Sequence, residues 1–107
     1  MKKIILLHVR AEKELLKFSR VVKLKFKGLF EILESTGKLE EPFAKKLSGQ
    51  NDLFELRVRH KGQWRAMYAY IEDSSIIILS AFHKKTQKTP QSELNKASKR
   101  LQEYKER

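Results

Sequence analysis

The stretch Leu53-Phe54-Glu55-Leu56-Arg57-Val58-Arg59-His60, continued after Lys61-Gly62 by Gln63-Trp64-Arg65-Ala66-Met67-Tyr68-Ala69-Tyr70-Ile71, decides the fold. In its first half Phe54, Leu56 and Val58 alternate with Glu55, Arg57 and Arg59. In its second half Trp64, Ala66, Tyr68 and Tyr70 take the even positions and Arg65 an odd one. Such alternation marks half-buried strands, and Lys61-Gly62 is a turn signal. Paired residues of an antiparallel hairpin point to one face. For the two apolar sets to share a core, paired residue numbers must sum to an even number, which requires an odd loop. The simplest is Lys61, Gly62 and Gln63, with Gly62 or its neighbour left-handed. Arg57, Arg59 and Arg65 then share the opposite face. A two-residue turn would instead bury Arg65 among apolar side chains, a costly placement for a charge.

Working outward, Ile4–Val9 reads as a first strand. From Ala11 the period changes: Leu15, Phe18, Val22, Phe26, Leu29 and Leu33 recur at three- and four-residue steps, with Lys13, Lys17, Lys23 and Lys27 off that face. Ser19 can cap a second helix and Gly37 supplies a left-handed stop, so a helical hairpin or a broken helix is expected across 11–35. Residues 38–51, with Pro42 and Ser48-Gly49, read as a loop with one helical turn at Ala44–Leu47. Beyond the hairpin, Glu72-Asp73-Ser74-Ser75 is a polar turn. Ser75–Phe82 is a strand whose Ile76-Ile77-Ile78-Leu79 is apolar at every position, as at a sheet centre. His83–Lys88 is a basic loop. Thr89 is expected to cap the last helix with Pro90 in its first turn, and Leu94, Ala97, Leu101 and Tyr104 form its apolar stripe. The order predicts an α+β fold: a small antiparallel-rich sheet with an N-terminal helical hairpin and a C-terminal helix.

The 107 residues suit a single domain, 1–107. With no cysteine, disulfides, cysteine–zinc sites and cysteine nucleophiles are excluded. Lys2-Lys3-Ile4-Ile5-Leu6-Leu7 imitates a secretory leader, but the apolar run ends after Leu7 and charges return at Arg10, Glu12, Lys13 and Glu14. A cytoplasmic protein without a membrane span is expected. Lys and Arg number 24 against 13 Asp and Glu, a formal net charge of +11. The excess is +7 in residues 1–30 and +5 in residues 84–107, while the middle is nearly neutral. A charge of this size calls for a polyanion or an acidic partner.

Chemistry narrows to one constellation. His8, His60 and His83 lack carboxylates at metal-ligand spacing, so no metal or cofactor is expected. No phosphate-cradling glycine loop or nucleophile elbow is present, and Glu72-Asp73 sits in a turn rather than as a catalytic carboxylate pair. What remains is Arg57, Arg59 and Arg65 on one sheet face, with His83, Lys84, Lys85 and Lys88 at the exit of the adjacent strand. Long basic side chains on an exposed face can simply discourage edge aggregation. They can also form a phosphodiester site, in which guanidinium groups clamp a phosphate and stabilise a five-coordinate phosphorus. There a lysine or histidine moves the protons of a ribose 2′-hydroxyl attack. Trp64, Tyr68 and Tyr70 could stack bases, but the parity of the hairpin assigns them to the core.

The strings Leu53–Arg59, Trp64-Arg65-Ala66-Met67-Tyr68 and Ser80-Ala81-Phe82-His83-Lys84-Lys85-Thr86-Gln87-Lys88-Thr89-Pro90, with the Leu47-Ser48-Gly49 loop, resemble the RelE/HigB toxins of bacterial toxin–antitoxin systems. The resemblance is to the phage-derived HigB-like branch, marked by an F-x-K-K-T-x-K-T-P ending before a helix. It implies a microbial-ribonuclease-like α+β fold and a ribosome-dependent mRNA endonuclease that acts by metal-independent 2′-hydroxyl attack. It also implies a cognate antitoxin, usually a helix-turn-helix protein of the HigA kind, with the ribosome and mRNA as further partners and a monomeric free toxin. Arg57 and Arg65 match the family's strand-borne residues at the reacting phosphate, and Lys84 and Lys85 its basic pair after the last strand, with His83 beside them. Arg59, His60, Lys61, Lys88, Lys23 and Lys27 fall to RNA contact. Two departures stand out: Pro90 and Gln91 lie where some relatives carry a catalytic Tyr or His, and Glu55 stands where a relative carries Lys. His60, His83 and Lys84 remain candidates for the general base. The alternatives are a gyrase-inhibiting ParE-like toxin and a catalytically inactive RNA-binding module.

Overall fold

The computed structural model describes residues 2–47, 49, 52–72 and 74–106; Ser48 and Asp73, placed above in turns, lie outside the described residues. Strand β1 (Ile4–Leu7) leads into helix α1 (Val9–Leu16) and helix α2 (Arg20–Thr36). Strands β2 (Ala44–Lys46), β3 (Phe54–Arg59), β4 (Gln63–Ile71) and β5 (Ser75–Lys84) follow, then helix α3 (Gln91–Lys105). The strands form one sheet in the order β1-β5-β4-β3-β2, antiparallel except for the parallel β1–β5 edge. The α+β class, the helical hairpin and the C-terminal helix match the sequence expectation.

The α2 boundaries follow from local chemistry. The Ser19 hydroxyl accepts from the Val22 N–H, and Gly37 closes the helix at φ 85°. The first strand ends earlier than expected because the His8 side chain accepts from Arg10 N–H and caps α1, which takes Val9 into the helix. The expected helical turn at Ala44–Leu47 is instead β2. Ala44, Lys45 and Lys46 pair with Leu56, Glu55 and Phe54, and that ladder satisfies backbone groups an isolated turn would leave to water.

The hairpin loop is odd, as parity requires, but it spans His60, Lys61 and Gly62 rather than Lys61 to Gln63. Arg59 pairs with Gln63 and Arg57 with Arg65, so the loop sits one residue earlier than expected and each β4 residue meets a β3 partner two positions earlier. Lys61 at φ 49° and Gly62 at φ 138° make the left-handed corner. Even residues Leu56, Val58, Ala66, Tyr68, Ile76 and Ile78 pack against α1 and α2. Met67, Ala69, Ile77, Leu79 and Phe82 pack against Ala97 and Leu101 of α3. Both sheet faces are therefore covered at the centre, which is why Ile76–Leu79 is apolar at every position.

A bulge in β5 was not legible in the sequence. Met67 pairs with Ser80 but Tyr68 with Ile78, leaving Leu79 as an extra residue. An inserted residue reverses which face later side chains take. Beyond it Ala81 joins Ile76 and Ile78 on the helix-pair face, and Phe82 joins Ile77 and Leu79 on the α3 face.

A polar knot ties the helices over β5. Arg100 of α3 donates to both Glu14 oxygens at 2.9 Å and to the Leu79 carbonyl at 2.8 Å, while Glu14 accepts from the Ala81 N–H at 3.0 Å. These groups satisfy the β5 edge beyond the point where β1 pairing ends at Ile78.

Candidate active site

The arginines of β3 and β4 meet as the alternation predicts. Arg57 and Arg65 are directly paired across the ladder, an arrangement that on its own is repulsive. Glu55, two residues before Arg57 and therefore on the same face, resolves it. Its carboxylate is 1% exposed, and Oε1 lies 3.3 Å from Arg57 Nε and 3.4 Å from Arg65 Nε. Its other oxygen accepts from the Thr89 hydroxyl at 2.5 Å.

The expectation that Thr89 caps α3 is thus corrected. Pro90 occupies the N-cap position without a side-chain cap bond, and helical residues begin at Gln91. The Thr89 hydroxyl is drawn to a carboxylate instead, a stronger acceptor relationship than a neutral cap.

Two more cations complete the cluster. Lys84 pairs with Gln63 at the end of β5, on the arginine face because of the bulge. Its pKa is lowered from the ordinary lysine value, first by burial and then by the positive charges of Arg65, Arg57 and Lys45, against the raising effect of Glu55. Lys45 is paired with Glu55 across β2–β3 and so shares its face. Burial likewise lowers the Arg65 pKa, with Glu55 opposing and Arg57 and Arg59 adding to the shift. Four cations thus surround one carboxylate, leaving a local excess suited to an anion.

The two arginines are not equivalent. Arg65 is buried and its Nη atoms are engaged, one with the Trp64 carbonyl at 3.1 Å and one with Gln63 Oε1 at 3.0 Å. Arg57 is held through Nε alone, and among the described residues its Nη atoms make no hydrogen bond. Arg57 keeps 29% of its side-chain surface exposed against 8% for Arg65. Arg57 therefore presents the free edge of a guanidinium fork, with Arg65 as its buttress.

Other expected residues lie elsewhere. His83 pairs with Trp64, so it sits on the helix-pair face, and its ring stacks on the indole at 4.1 Å between centroids. The same bulge that brings Lys84 to the arginines turns His83 away from them, which separates His83 from the catalytic group it was expected to join. Trp64 is wedged between His83 and Phe18, donates to the His60 carbonyl at 2.9 Å, and is core rather than a stacking platform, as parity indicates. Tyr68 is fully buried, and the Tyr70 hydroxyl donates to the Gly37 carbonyl. Arg59, His60 and Lys61 lie at the hairpin tip, and Lys85 and Lys88 are exposed in the loop after β5. Lys23 and Lys27 border an apolar hollow with Leu7, Leu15 and Phe26, on the helix-pair side of the sheet. Sequence reasoning missed Glu55, Thr89 and Lys45. Glu55 had a signal, its odd parity with Arg57; Lys45 had none while its segment read as helical.

A family model described as "Phage derived protein Gp49-like (DUF891)" matches residues 13–102. No curated protein matches the sequence. Among solved structures the chain is similar to a double arginine-to-alanine mutant of E. coli toxin RelE in the free state. The TM-score is 0.73 at 23% identity, covering 94% of this chain and 99% of that one. It is also similar to RelE in the archaeal RelE–RelB complex from Pyrococcus horikoshii OT3, with TM-score 0.62 and 28% identity over 79% of this chain and 98% of that one. The same E. coli mutant bound to an antitoxin RelBc peptide gives TM-score 0.62 and 25% identity, over 92% and 95% of the two chains. The fold is that of the RelE toxins.

Proposed function

The chain belongs to the phage-derived Gp49-like protein family, and from that membership and the cation cluster we propose that it is the toxin of a toxin–antitoxin pair, acting as a ribosome-dependent mRNA endonuclease. The RelE-like fold supports the toxin reading, as do neighbours solved as toxin–antitoxin complexes. The partner is then an antitoxin that masks the cluster. The observation that carries the catalytic reading is the free Nη edge of Arg57, backed by Arg65 and flanked by a lysine with a lowered pKa.

In this mechanism the ribose 2′-oxygen attacks the adjacent phosphorus, the P–O5′ bond breaks, and a 2′,3′-cyclic phosphate and a 5′-hydroxyl result. Arg57 binds a non-bridging oxygen and stabilises the charge gained at five-coordinate phosphorus, while Arg65 fixes its position through their shared carboxylate. The 2′-hydroxyl releases its proton to water. Lys84, whose lowered pKa eases proton loss, donates one to the leaving 5′-oxygen. Lys85 and Lys88 supply charge neutralisation and backbone contact along the RNA.

Primer extension on a translated message, with and without ribosomes, tests this. The expected result is cleavage that requires ribosomes and is lost in soluble, folded Arg57→Ala. Undiminished cutting by Arg57→Ala/Arg65→Ala would refute the site. Uncut transcripts with a rising DNA-damage response would favour the gyrase-inhibitor alternative instead.

A further inference from the structure

Helix α2 carries two apolar stripes, and among the described residues one is buried while the other stays largely exposed. Val22, Phe26, Leu29 and Leu33 are buried against the sheet. Val21, Leu24 and Ile32, which with Gly28 recur at three- and four-residue steps, form a second stripe and are 42%, 56% and 44% exposed. We propose that this outer stripe is a self-association surface on which two copies of the chain pair through antiparallel α2 helices.

Three observations favour a second copy. First, Gly28 sits mid-helix, where glycine costs about 1 kcal/mol relative to alanine, and a Cβ there would meet nothing within 4 Å. Among the described residues no contact explains it, whereas a second helix could approach closely at that point. Second, the charges of α2 run against its own dipole. Arg20, Lys23, Lys25 and Lys27 occupy the first half and Glu31 and Glu34 the second, with no acidic residue in the first turn and no basic one in the last. An antiparallel copy offsets this by setting each basic half beside an acidic one; a parallel copy would not. Third, an antiparallel two-fold brings the same flank of both helices together. Lys27 of one copy then faces Glu31 of the partner subunit, and the reverse, around a crossing at Gly28. Neither residue makes an ion pair among the described residues.

The helix is about 25 Å long, so the contact falls short of the area of a permanent interface, and the net charge of +11 opposes it at low salt. Pairing is therefore reversible and strengthened by salt, in contrast to the monomer that the family resemblance implies.

Sedimentation equilibrium on the chain alone, from about 10 µM to 1 mM, is expected to show a monomer–dimer equilibrium. Gly28→Lys, placed in open space in a good helix-forming residue type, should remain folded and lose the dimer. Lys27→Glu and Glu31→Lys should each weaken pairing about fivefold, and the double swap should restore it. Monomer throughout the range, a dimer indifferent to Gly28→Lys, or a double swap no better than the single changes would overturn the proposal. Throughout-monomer behaviour would leave the stripe to a helix of another protein. The measurement needs neither RNA nor antitoxin, so its outcome stands apart from the nuclease reading.

Discussion

Replacing Glu55 by glutamine isolates the charge at the centre of the site while keeping its shape and an acceptor for Thr89. Removing one partner of a buried ion pair costs about 3–5 kcal/mol when the other charge is left stranded. Here the loss is smaller on two counts. Arg57 is partly exposed and can turn to water, and Arg65 keeps its bonds to the Trp64 carbonyl and Gln63. About 2–3 kcal/mol is the expected destabilisation, a fall in Tm of about 10–15 °C for a domain of this size. The variant should also respond to anions differently. With the carboxylate gone, Arg57, Arg65, Lys84 and Lys45 are uncompensated, and phosphate at ten times its dissociation constant should return about 1.4 kcal/mol. The wild-type chain, whose arginines already hold a counter-ion, should gain much less. Urea and thermal melts with and without phosphate measure both effects. A Glu55→Gln chain within about 0.5 kcal/mol of wild type, or equal phosphate stabilisation of the two, would refute the picture of one carboxylate holding the cluster.

Three further outcomes follow from other contacts. Lys84→Arg keeps the charge but cannot release a proton, so cleavage should fall about 100-fold; the wild type should lose rate at alkaline pH as Lys84, with its lowered pKa, deprotonates, and that limb should be absent from the variant's pH–rate profile. Burial raises the Glu14 pKa, but the Arg100 bridge, the Ala81 N–H and Lys96 outweigh it, and the net shift is downward. The stability this confers is full above the ordinary carboxylate value of 4.5 and is lost as pH falls through the lowered native value. Glu14→Gln should therefore cost about 2–3 kcal/mol at neutral pH and flatten the acid limb of a stability–pH curve. Gly62→Ala meets both a φ of 138° and His83 Nε2 at 2.8 Å from the new Cβ, so denaturant melts should show a loss of about 1–3 kcal/mol. His83→Ala in the same chain should recover only the part due to the clash.

The sheet core, the odd hairpin loop and the arginine face were readable because they follow from one rule, the two-residue period of a strand. That rule holds only while the ladder is regular. In β5 every residue from Ile76 to Leu79 is apolar, so the pattern carries no phase, and the extra residue Leu79 leaves no mark in it. The consequence falls on the proposed site: the bulge decides that Lys84 joins the arginines and His83 does not. β2 was hidden for another reason. A three-residue edge strand has too few residues to show a period, and its pairing with β3 is a tertiary choice. With it went Lys45. Thr89 shows the limit of capping rules, since a hydroxyl that would serve a helix start is taken by a buried carboxylate 34 residues away in sequence.

A site of the proposed kind, open to an anion, must also survive empty, and the placement of Glu55 meets both demands. Two guanidinium groups directly opposed across a ladder repel one another, in a chain already carrying a large positive excess. A counter-ion in front of them would compete with the phosphate. Glu55 instead approaches from the Nε side, from deeper in the sheet, so it neutralises the pair while the Nη edge of Arg57 stays unengaged. By accepting from Thr89 it also anchors the end of the segment that follows Lys84. A lysine at position 55, as the resemblance places in a relative, would add a cation but remove this anchor, and the loop would need another tether. Glu55→Lys should therefore loosen residues 85–89 more than it weakens anion binding. Amide exchange that rises across 85–89 while phosphate affinity holds or improves is the expected pattern, and unchanged exchange there would show that the carboxylate does not organise the loop.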